Sequence, residues 1–330
     1  MTYDIAVVMA TYNRPDLLNR CLTCLSKQTL SKKQFEVIVV ADGPDEKTRS
    51  VVEAFKTNIP GISFKYLATE SKQGPAAARN LGWRAALANY IAFTDDDCLP
   101  ETTWLENYQK ASGMFSGFIS KKKFVFTGKV TVPVSQTPTD YEKNILQLET
   151  AHFVTANCCI PKVILEEVGG FDISFKTAWR EDSDLHFNLL KNKIEIQKVD
   201  DAVVVHPVRK ASWGVSLKEQ KKSMFNALLY KKYPAYYRQL IHREPVWKYY
   251  IMIASFITAA LAFIAGETLL SLIFLSHWLV WALYFTFLRL RGTSKSFSHV
   301  SEMFLTSLII PFTSVYWTLY GSFKYKVLFL

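Results

Sequence analysis

Up to about residue 205, short apolar runs alternate with segments that mix apolar and charged residues. The apolar runs DIAVVMA (4–10), FEVIVVA (35–41), SFKYLAT (63–69) and YIAFT (90–94) have the length and β-branched content of buried strands. The intervening segments are predicted to be amphipathic helices, at residues 14–28, from about 46 to 56, and 74–89. This alternation predicts an α/β fold with a doubly wound, mostly parallel sheet.

Longer apolar runs follow, after about residue 246. Residues 248–265 and 269–288 are each long enough to cross ~30 Å of hydrocarbon at about 1.5 Å per residue. A third apolar run, 303–321, contains a proline, and crossing would leave Lys324 and Lys326 on the outer side, against the positive-inside rule. The sequence therefore predicts two membrane helices and leaves open whether the third run crosses or lies at the interface.

Basic residues predict the orientation of these helices. The loop after the second run carries Arg289, Arg291 and Lys295, whereas the turn Gly266-Glu267 between the two runs carries no basic residue. By the positive-inside rule the loop and the N-terminal domain face the cytoplasm. We expect a multi-pass protein of the cell membrane with a cytoplasmic catalytic domain.

The formal net charge of +10 is concentrated just before the first apolar run. Between Arg209 and Lys248, ten basic residues stand against two acidic ones, and aromatic residues are interleaved with them. Such a pattern could bind RNA, but directly before a membrane helix it favours an interfacial segment on an anionic leaflet, with no nucleic-acid partner. The predicted organisation is a catalytic domain at 1–208, an interfacial segment at 209–247 and a membrane region at 248–330.

Three consecutive aspartates, Asp95, Asp96 and Asp97, follow the fourth predicted strand. In a parallel sheet, ligands bind beyond the carboxyl ends of the strands, where Asp42 and the segment TYNR are also expected. Clustered carboxylates suit a hard divalent cation such as Mg²⁺ or Mn²⁺, which can bridge them to a diphosphate. The alternative interpretation is a solvated acidic turn.

Six segments in order resemble the successive motifs of the family 2 glycosyltransferases, over roughly residues 4 to 206. They are VVMATYNRPDLLNRCLTCLSKQ, FEVIVVADGP, KQGPAAARNLGW, IAFTDDDCLP, TANCCIPKVILEEVGGFD and WREDSDL. The resemblance implies a GT-A fold for this part of the chain, and the C-terminal transmembrane helices predicted from the apolar runs follow it. It also implies transfer of a sugar from a nucleotide donor, here a UDP-sugar, with inversion at the anomeric carbon.

The resemblance also assigns a nucleotide site. Asp42 matches the position that accepts a hydrogen bond from the nucleobase, although many members have a second acidic residue where this chain has Ala41. Arg79 matches an arginine that contacts the nucleotide; the alternative is a solvated helix arginine. The residues that the resemblance places in this site are Thr11, Tyr12, Asn13, Asp42, Arg79, Asp95 and Asp96.

The aspartate triplet corresponds to the Asp-x-Asp motif of the family. Alignment on the preceding strand makes Asp95 and Asp97 the metal-binding pair, and a shift by one residue would make the pair Asp96 and Asp97 instead. In several metal-dependent relatives a downstream histidine completes the metal shell. His206, which follows the predicted strand AVVV, is therefore a candidate ligand, although a structural histidine is equally compatible with this position.

A second acidic group lies in WREDSDL, at the start of a predicted helix over 179–192. In the family, the second residue of this acidic pair takes the proton from the acceptor hydroxyl, which assigns the general base to Asp182. The alternative is ordinary acidic charge at a helix N-terminus. The resemblance places Glu181, Trp179, Gly170 and Asn157 on the acceptor side.

The sequence thus predicts a metal-dependent transferase acting on a lipid or lipid-linked glycan at a membrane. Processive relatives carry a Gln-x-x-Arg-Trp motif, and this chain has Gln220-Lys221-Lys222-Ser223-Met224 in the comparable place, which favours a non-processive enzyme. Two alternatives stay open: transfer onto a polyprenyl phosphate, and a non-catalytic membrane scaffold that keeps the fold.

Overall fold

The computed structural model describes residues 3–113 and 124–330. The chain forms two compact units. The first consists of Met1–Pro133 and Leu146–Val208, and the second of Val134–Ile145 and Arg209–Leu330.

The first unit is built on a mixed sheet of eight strands. The strands are β1 (Ile5–Thr11), β2 (Phe35–Ala41), β3 (Ser63–Ala68), β4 (Tyr90–Phe93), β5 (Leu99–Pro100), β6 (Phe124–Thr131), β7 (Cys158–Pro161) and β8 (Glu195–Val205). Their spatial order is β3-β2-β1-β4-β7-β6-β8-β5. Strands β1 to β4 are parallel to one another where they pair, and β7 joins β4 in the antiparallel direction. The predicted mostly parallel α/β sheet is confirmed.

Helices connect these strands and are numbered through the chain. They are α1 (Pro15–Leu25), α2 (Glu46–Asn58), α3 (Pro75–Ala85), α4 (Trp104–Ala111), α5 (Asp140–Ile145, in the second unit), α6 (Lys162–Val168) and α7 (Glu181–Lys191). Strand β2 is buried along its whole length and β1 along nearly all of it, as expected of a parallel sheet covered on both faces.

Two predicted helices end earlier than the sequence pattern indicates. The prediction for α3 ran to residue 89, but the backbone becomes extended at Ala86. The amides of Leu87 and Ala88 there donate to the buried carboxylate of Glu36, at 2.6 and 3.1 Å. The prediction for α1 ran to residue 28. The Gln28 side chain forms hydrogen bonds with backbone groups of the β5–α4 region. Long-range partners therefore end both helices.

The second unit is helical. It contains α8 (Val215–Glu219), a 3₁₀ turn (Gln220–Ser223), α9 (Met224–Lys232), α10 (Pro234–Leu240), α11 (Trp247–Ile264), α12 (Thr268–Leu290) and α13 (Phe297–Tyr325). Of the helices that the structure describes, α11, α12 and α13 are long and apolar enough to cross a membrane. Helix α13 extends the predicted run 303–321 at both ends.

Candidate active site

The carboxyl ends of β1, β2 and β4 meet at one edge of the sheet. Because β1 pairs in parallel with both β2 and β4, Thr11, Asp42 and the aspartate triplet emerge side by side. The Thr11 hydroxyl donates to Asp96 Oδ2 at 2.6 Å, which joins the ends of β1 and β4 directly. This edge therefore brings together the acidic motif and the segment after the first strand, as predicted.

The middle aspartate of the triplet faces the interior. Asp96 is 1% exposed, and its other oxygen lies 3.2 Å from Nη1 of Arg14. Burial raises the pKa of Asp96 to about 6, against the lowering effect of Arg14 and Thr11. Since both oxygens of Asp96 are used inside the fold, the arrangement favours Asp95 and Asp97 as the metal-binding pair over the shifted alternative.

Asp95 and Asp97 lie with Cys98 and His206 in a tight cluster of ligand atoms. One ligand atom from each of the four residues lies within 4.8 Å of the others. His206 arrives because β5 pairs with β8, which sets Leu99 opposite Val205 and so brings their neighbours together. Two carboxylates and an imidazole suit Mg²⁺ or Mn²⁺, and the buried thiol adds a softer donor.

The geometry at His206 is consistent with a metal ligand. Its Nε2 lies 3.8 Å from Asp97 Oδ1, and its buried Nδ1 has no hydrogen-bond partner among the described residues. A cation bound between these two carboxylates and the imidazole would compensate the negative charge that they hold in a small volume. The residues present therefore fit a divalent cation at Asp95, Asp97 and His206.

Arg79, on α3, connects the triplet with the second acidic motif. Its Nη2 lies 2.8 Å from Asp95 Oδ1 and its Nη1 3.0 Å from Glu181 Oε1, and the side chain is 4% exposed. Burial acts to lower the pKa of Arg79, but the two carboxylates outweigh it and the pKa lies above its usual value. Burial likewise opposes ionisation of Asp95, whose pKa Arg79 nevertheless holds below its usual value.

The second acidic motif begins α7. Glu181 is buried, and burial raises its pKa to about 7, although Arg79 acts in the opposite direction. Asp182 is only half-buried, and its Oδ1 accepts a hydrogen bond from the Ser183 amide at 2.6 Å. Of this pair, Glu181 forms an ion pair with Arg79. Asp182 is partly exposed, so its carboxylate can contact a substrate.

Asp42 and Tyr12 directly follow β2 and β1 at the same edge of the sheet. The buried carboxylate of Asp42 accepts hydrogen bonds from the amides of Gln73 and Gly74, at 2.6 to 3.0 Å, and thereby holds the loop that begins α3. Tyr12 is 41% exposed, with Nζ of Lys72 3.6 Å from its ring centroid. Asn13 is exposed and has a left-handed backbone (φ 52°). The exposed aromatic ring offers a surface for a nucleobase.

The structure does not bring all predicted residues to this group. Asn157 is fully buried; its Oδ1 accepts from the Trp104 indole and the Tyr108 hydroxyl, and its Nδ2 donates to the carbonyls of Lys129 and Ala202. All four of its hydrogen-bonding positions are therefore used within the fold, and the predicted place on the acceptor side gains no support.

Gly170 and Trp179 also have local roles. A Cβ on Gly170 would lie 2.6 Å from Asn80 Oδ1, so this glycine permits close packing at φ 71° instead of presenting a group to a ligand. The Trp179 ring stacks with the Arg180 guanidinium, whose carbon lies 4.7 Å from the ring centroid. The places of these two residues on the acceptor side stay predictions.

Sequence reasoning missed Arg14 and Cys98. Nη1 of Arg14 lies 3.2 Å from Asp96 and 3.6 Å from Asp97, and the side chain is 34% exposed. A basic residue directly after the first strand, facing three carboxylates at the same sheet edge, is the signal that could have identified Arg14. Cys98 directly follows the triplet. Its place in the cluster with His206 depends on the β5–β8 pairing, which no sequence pattern predicts.

Two family models match this chain. Residues 6–167 match "Glycosyl transferase family 2", and residues 131–291 match "Glycosyl transferase family group 2". Chondroitin synthase of Escherichia coli is 25% identical over 272 residues, which is 71% of this chain and 39% of that protein. The chain covers only 30% to 39% of the length of the first three curated relatives.

This chain covers a larger share of the length of a second relative. The UDP-Glc:alpha-D-GlcNAc-diphosphoundecaprenol beta-1,3-glucosyltransferase WfaP of Escherichia coli is 27% identical over 203 residues, 59% of this chain and 74% of that protein. Among solved structures, a mannosyltransferase of Pyrobaculum calidifontis in complex with GDP-Man and Mn²⁺ has a TM-score of 0.55 at 16% identity. The alignment covers 94% of this chain and 88% of that one, which confirms a GT-A-like fold.

Proposed function

We propose that this chain, which belongs to the family 2 glycosyltransferases, transfers a sugar with inversion from a nucleotide-sugar donor to a hydroxyl of a lipid or lipid-linked glycan. The observation that carries the proposal is the bridge through Arg79. One buried guanidinium contacts Asp95 of the triplet and Glu181 of the second acidic motif, which are far apart in sequence. The bridge supports a single pocket with a donor side and an acceptor side.

On the donor side, Asp95, Asp97 and His206 would hold Mg²⁺ or Mn²⁺. A bound divalent cation supplies charge compensation for the diphosphate leaving group. Tyr12 offers its exposed ring to the nucleobase, while Asp42 keeps the loop before α3 in place through the amides of Gln73 and Gly74. Arg79 fixes the position of Asp95 by a 2.8 Å contact.

On the acceptor side, Asp182 acts as the general base. The acceptor hydroxyl oxygen forms a bond to the anomeric carbon as the bond from that carbon to the diphosphate breaks, and the hydroxyl proton passes to the Asp182 carboxylate. A single displacement of this kind inverts the anomeric configuration. Glu181 serves to position the start of α7 through Arg79, at 3.0 Å, and does not itself take the proton.

The membrane and the relatives support the acceptor class. Three apolar helices suggest that the chain associates with a membrane, and the name of one relative specifies a diphosphoundecaprenol-linked acceptor and UDP-Glc. We infer a lipid-linked acceptor and a UDP-sugar donor for this chain, and a catalytic domain on the cytoplasmic side of a multi-pass membrane protein.

Product stereochemistry tests this proposal. The purified full chain is incubated with Mn²⁺, a set of UDP-sugars and GDP-Man, and lipid extract as the acceptor. We expect one donor to give a glycolipid whose new linkage, read by NMR, has the anomeric configuration opposite to that of the donor. A product with retained configuration would exclude single displacement with Asp182 as the base.

A further inference from the structure

Within the second unit, α13 runs alongside the basic segment that precedes the membrane helices. At its start, Glu302 accepts a hydrogen bond from the Gly214 amide at 2.7 Å. Near its end, Nζ of Lys231 donates to the Tyr325 carbonyl at 2.8 Å. Helix α13 packs against α8, the 3₁₀ turn and α9 between these points. The segments 214–231 and 302–325 therefore lie side by side and run in the same direction.

The segment 214–231, which packs along α13, can enter the hydrocarbon core only at a large cost in free energy. The segment 214–231 and its next residue carry Lys218, Lys221, Lys222, Lys231 and Lys232. A lysine at the centre of a membrane helix costs about 2.5 to 3.5 kcal/mol. If α13 crossed the bilayer, it would take these lysines across with it, because Tyr325 is bonded to Lys231.

The two faces of α13 differ in chemistry. Its outward face is an exposed apolar stripe with spacings of four, seven, four and three residues, formed by Leu305, Ile309, Tyr316, Tyr320 and Phe323. Its inward face is buried and partly polar, and it includes His299, Thr306 and Ser307. An exposed apolar stripe on a helix that packs along a lysine-rich segment suits a helix lying at a membrane surface.

Helix α13 contacts the α11–α12 hairpin at two places, the end of α12 and the middle of α11. Nη1 of Arg289, at the end of α12, donates to the hydroxyl oxygen of Thr306 at 2.6 Å. Further along, the ring of Phe312 lies 5.4 Å from that of Phe256, centroid to centroid. Phe256 is nine residues after Trp247, or about 14 Å along α11 from its start, and this is its depth when α11 crosses the bilayer perpendicular to the membrane plane. A side chain pointing down from a helix buried ~5–10 Å at the interface reaches this depth.

We propose that α13 lies in the plane of the membrane surface and that only α11 and α12 cross the bilayer. The apolar stripe of α13 enters the acyl chains, and the lysines of the adjoining segment contact anionic headgroups. At 29 residues, or about 44 Å, α13 is longer than the ~30 Å hydrocarbon core requires. Lys324 and Lys326 then remain on the same side as Arg291 and Lys295, in agreement with the positive-inside rule.

Cysteine labelling of the full chain tests the topology. Single substitutions Glu267→Cys, Ser294→Cys and Leu328→Cys mark the α11–α12 turn, the α12–α13 loop and the chain end. Sealed vesicles of known orientation are treated with a membrane-impermeant maleimide, and the unsubstituted chain gives the background of its native cysteines. We expect positions 294 and 328 to react from the same side and 267 from the opposite side. Reaction of 328 together with 267 would overturn the proposal.

The depth of the apolar stripe gives an independent test. Nitroxides at Leu305, Ile309, Tyr316 and Phe323 are measured by collisional relaxation in phosphatidylcholine–phosphatidylglycerol vesicles, with exposed Leu272 of α12 as the deep control. We expect the four positions to have depths within about 5 Å of one another. Residues 305 to 323 of a spanning helix would instead cover ~27 Å of its length. A depth profile with its maximum at the centre of the helix would contradict an in-plane helix.

Discussion

At the scale of single residues, the site depends on which of the three aspartate carboxylates each of two arginines contacts. Arg14 contacts Asp96 and Asp97, and Arg79 contacts Asp95. Asp96 is the buried member, while Asp95 and Asp97 reach the cluster with His206. The two guanidinium groups therefore offset the repulsion among the three carboxylates. Asp95 and Asp97 remain in position for a cation.

The assignment of Asp182 as general base is tested by Asp182→Asn. Asparagine keeps the size of the side chain but cannot take the acceptor proton, so we expect turnover to fall by about 10²–10⁴, or about 3–5 kcal/mol of barrier. Donor affinity should stay within about threefold, because Asp182 is assigned to the acceptor side. Turnover and donor affinity are measured on the same preparation.

The exposed Asp201 provides a matched control, because Asp201→Asn removes a carboxylate from β8. We expect it to leave both quantities unchanged. Weakened donor binding with normal turnover in Asp182→Asn would place Asp182 in the nucleotide site. Nearly full activity in that variant would favour an acceptor that is already an anion, such as a polyprenyl phosphate.

At the scale of elements, the sequence predicted what depends on local pattern. Strands β1 to β4 lie within one residue of their predicted ends, because continuous apolar runs between turn residues are a strong local signal. The position of His206 depends on pairing between β8 and the two-residue strand β5, which no local pattern reveals. Asn157 could not be assigned from sequence either, since a buried amide network and a binding residue look alike in a single chain.

The structural role of Asn157 predicts a large effect on stability. Asn157→Ala would remove the acceptor for Trp104 and Tyr108 and the donor to two carbonyls. Because unsatisfied buried groups cost about 1–3 kcal/mol each, we expect the free energy of unfolding to fall by about 3 kcal/mol or more. Urea unfolding followed by tryptophan fluorescence measures it. A normally stable variant that had lost transfer activity would return Asn157 to the acceptor side.

At the scale of the whole molecule, membrane attachment is expected to depend on the part after residue 208. That part contains α11, α12, α13 and the basic segment. A chain ending near residue 208 loses all of these apolar helices, so we expect it to leave the membrane fraction in a high-salt wash. The full chain should stay there even after alkaline extraction. A truncated chain that still sediments with membranes after the wash would place an anchor in the first unit.

The central claim is that Asp95, Asp97 and His206 hold the cation through which the donor nucleotide binds. Titration calorimetry of UDP into the full chain, with and without Mn²⁺, measures this most directly because it needs neither the sugar nor the acceptor. We expect Asp97→Ala to abolish the manganese-dependent part of the affinity, and the exposed control Asp200→Ala, whose carboxylate pairs with Lys198, to keep it. Unchanged manganese-dependent binding of UDP by Asp97→Ala would contradict the account.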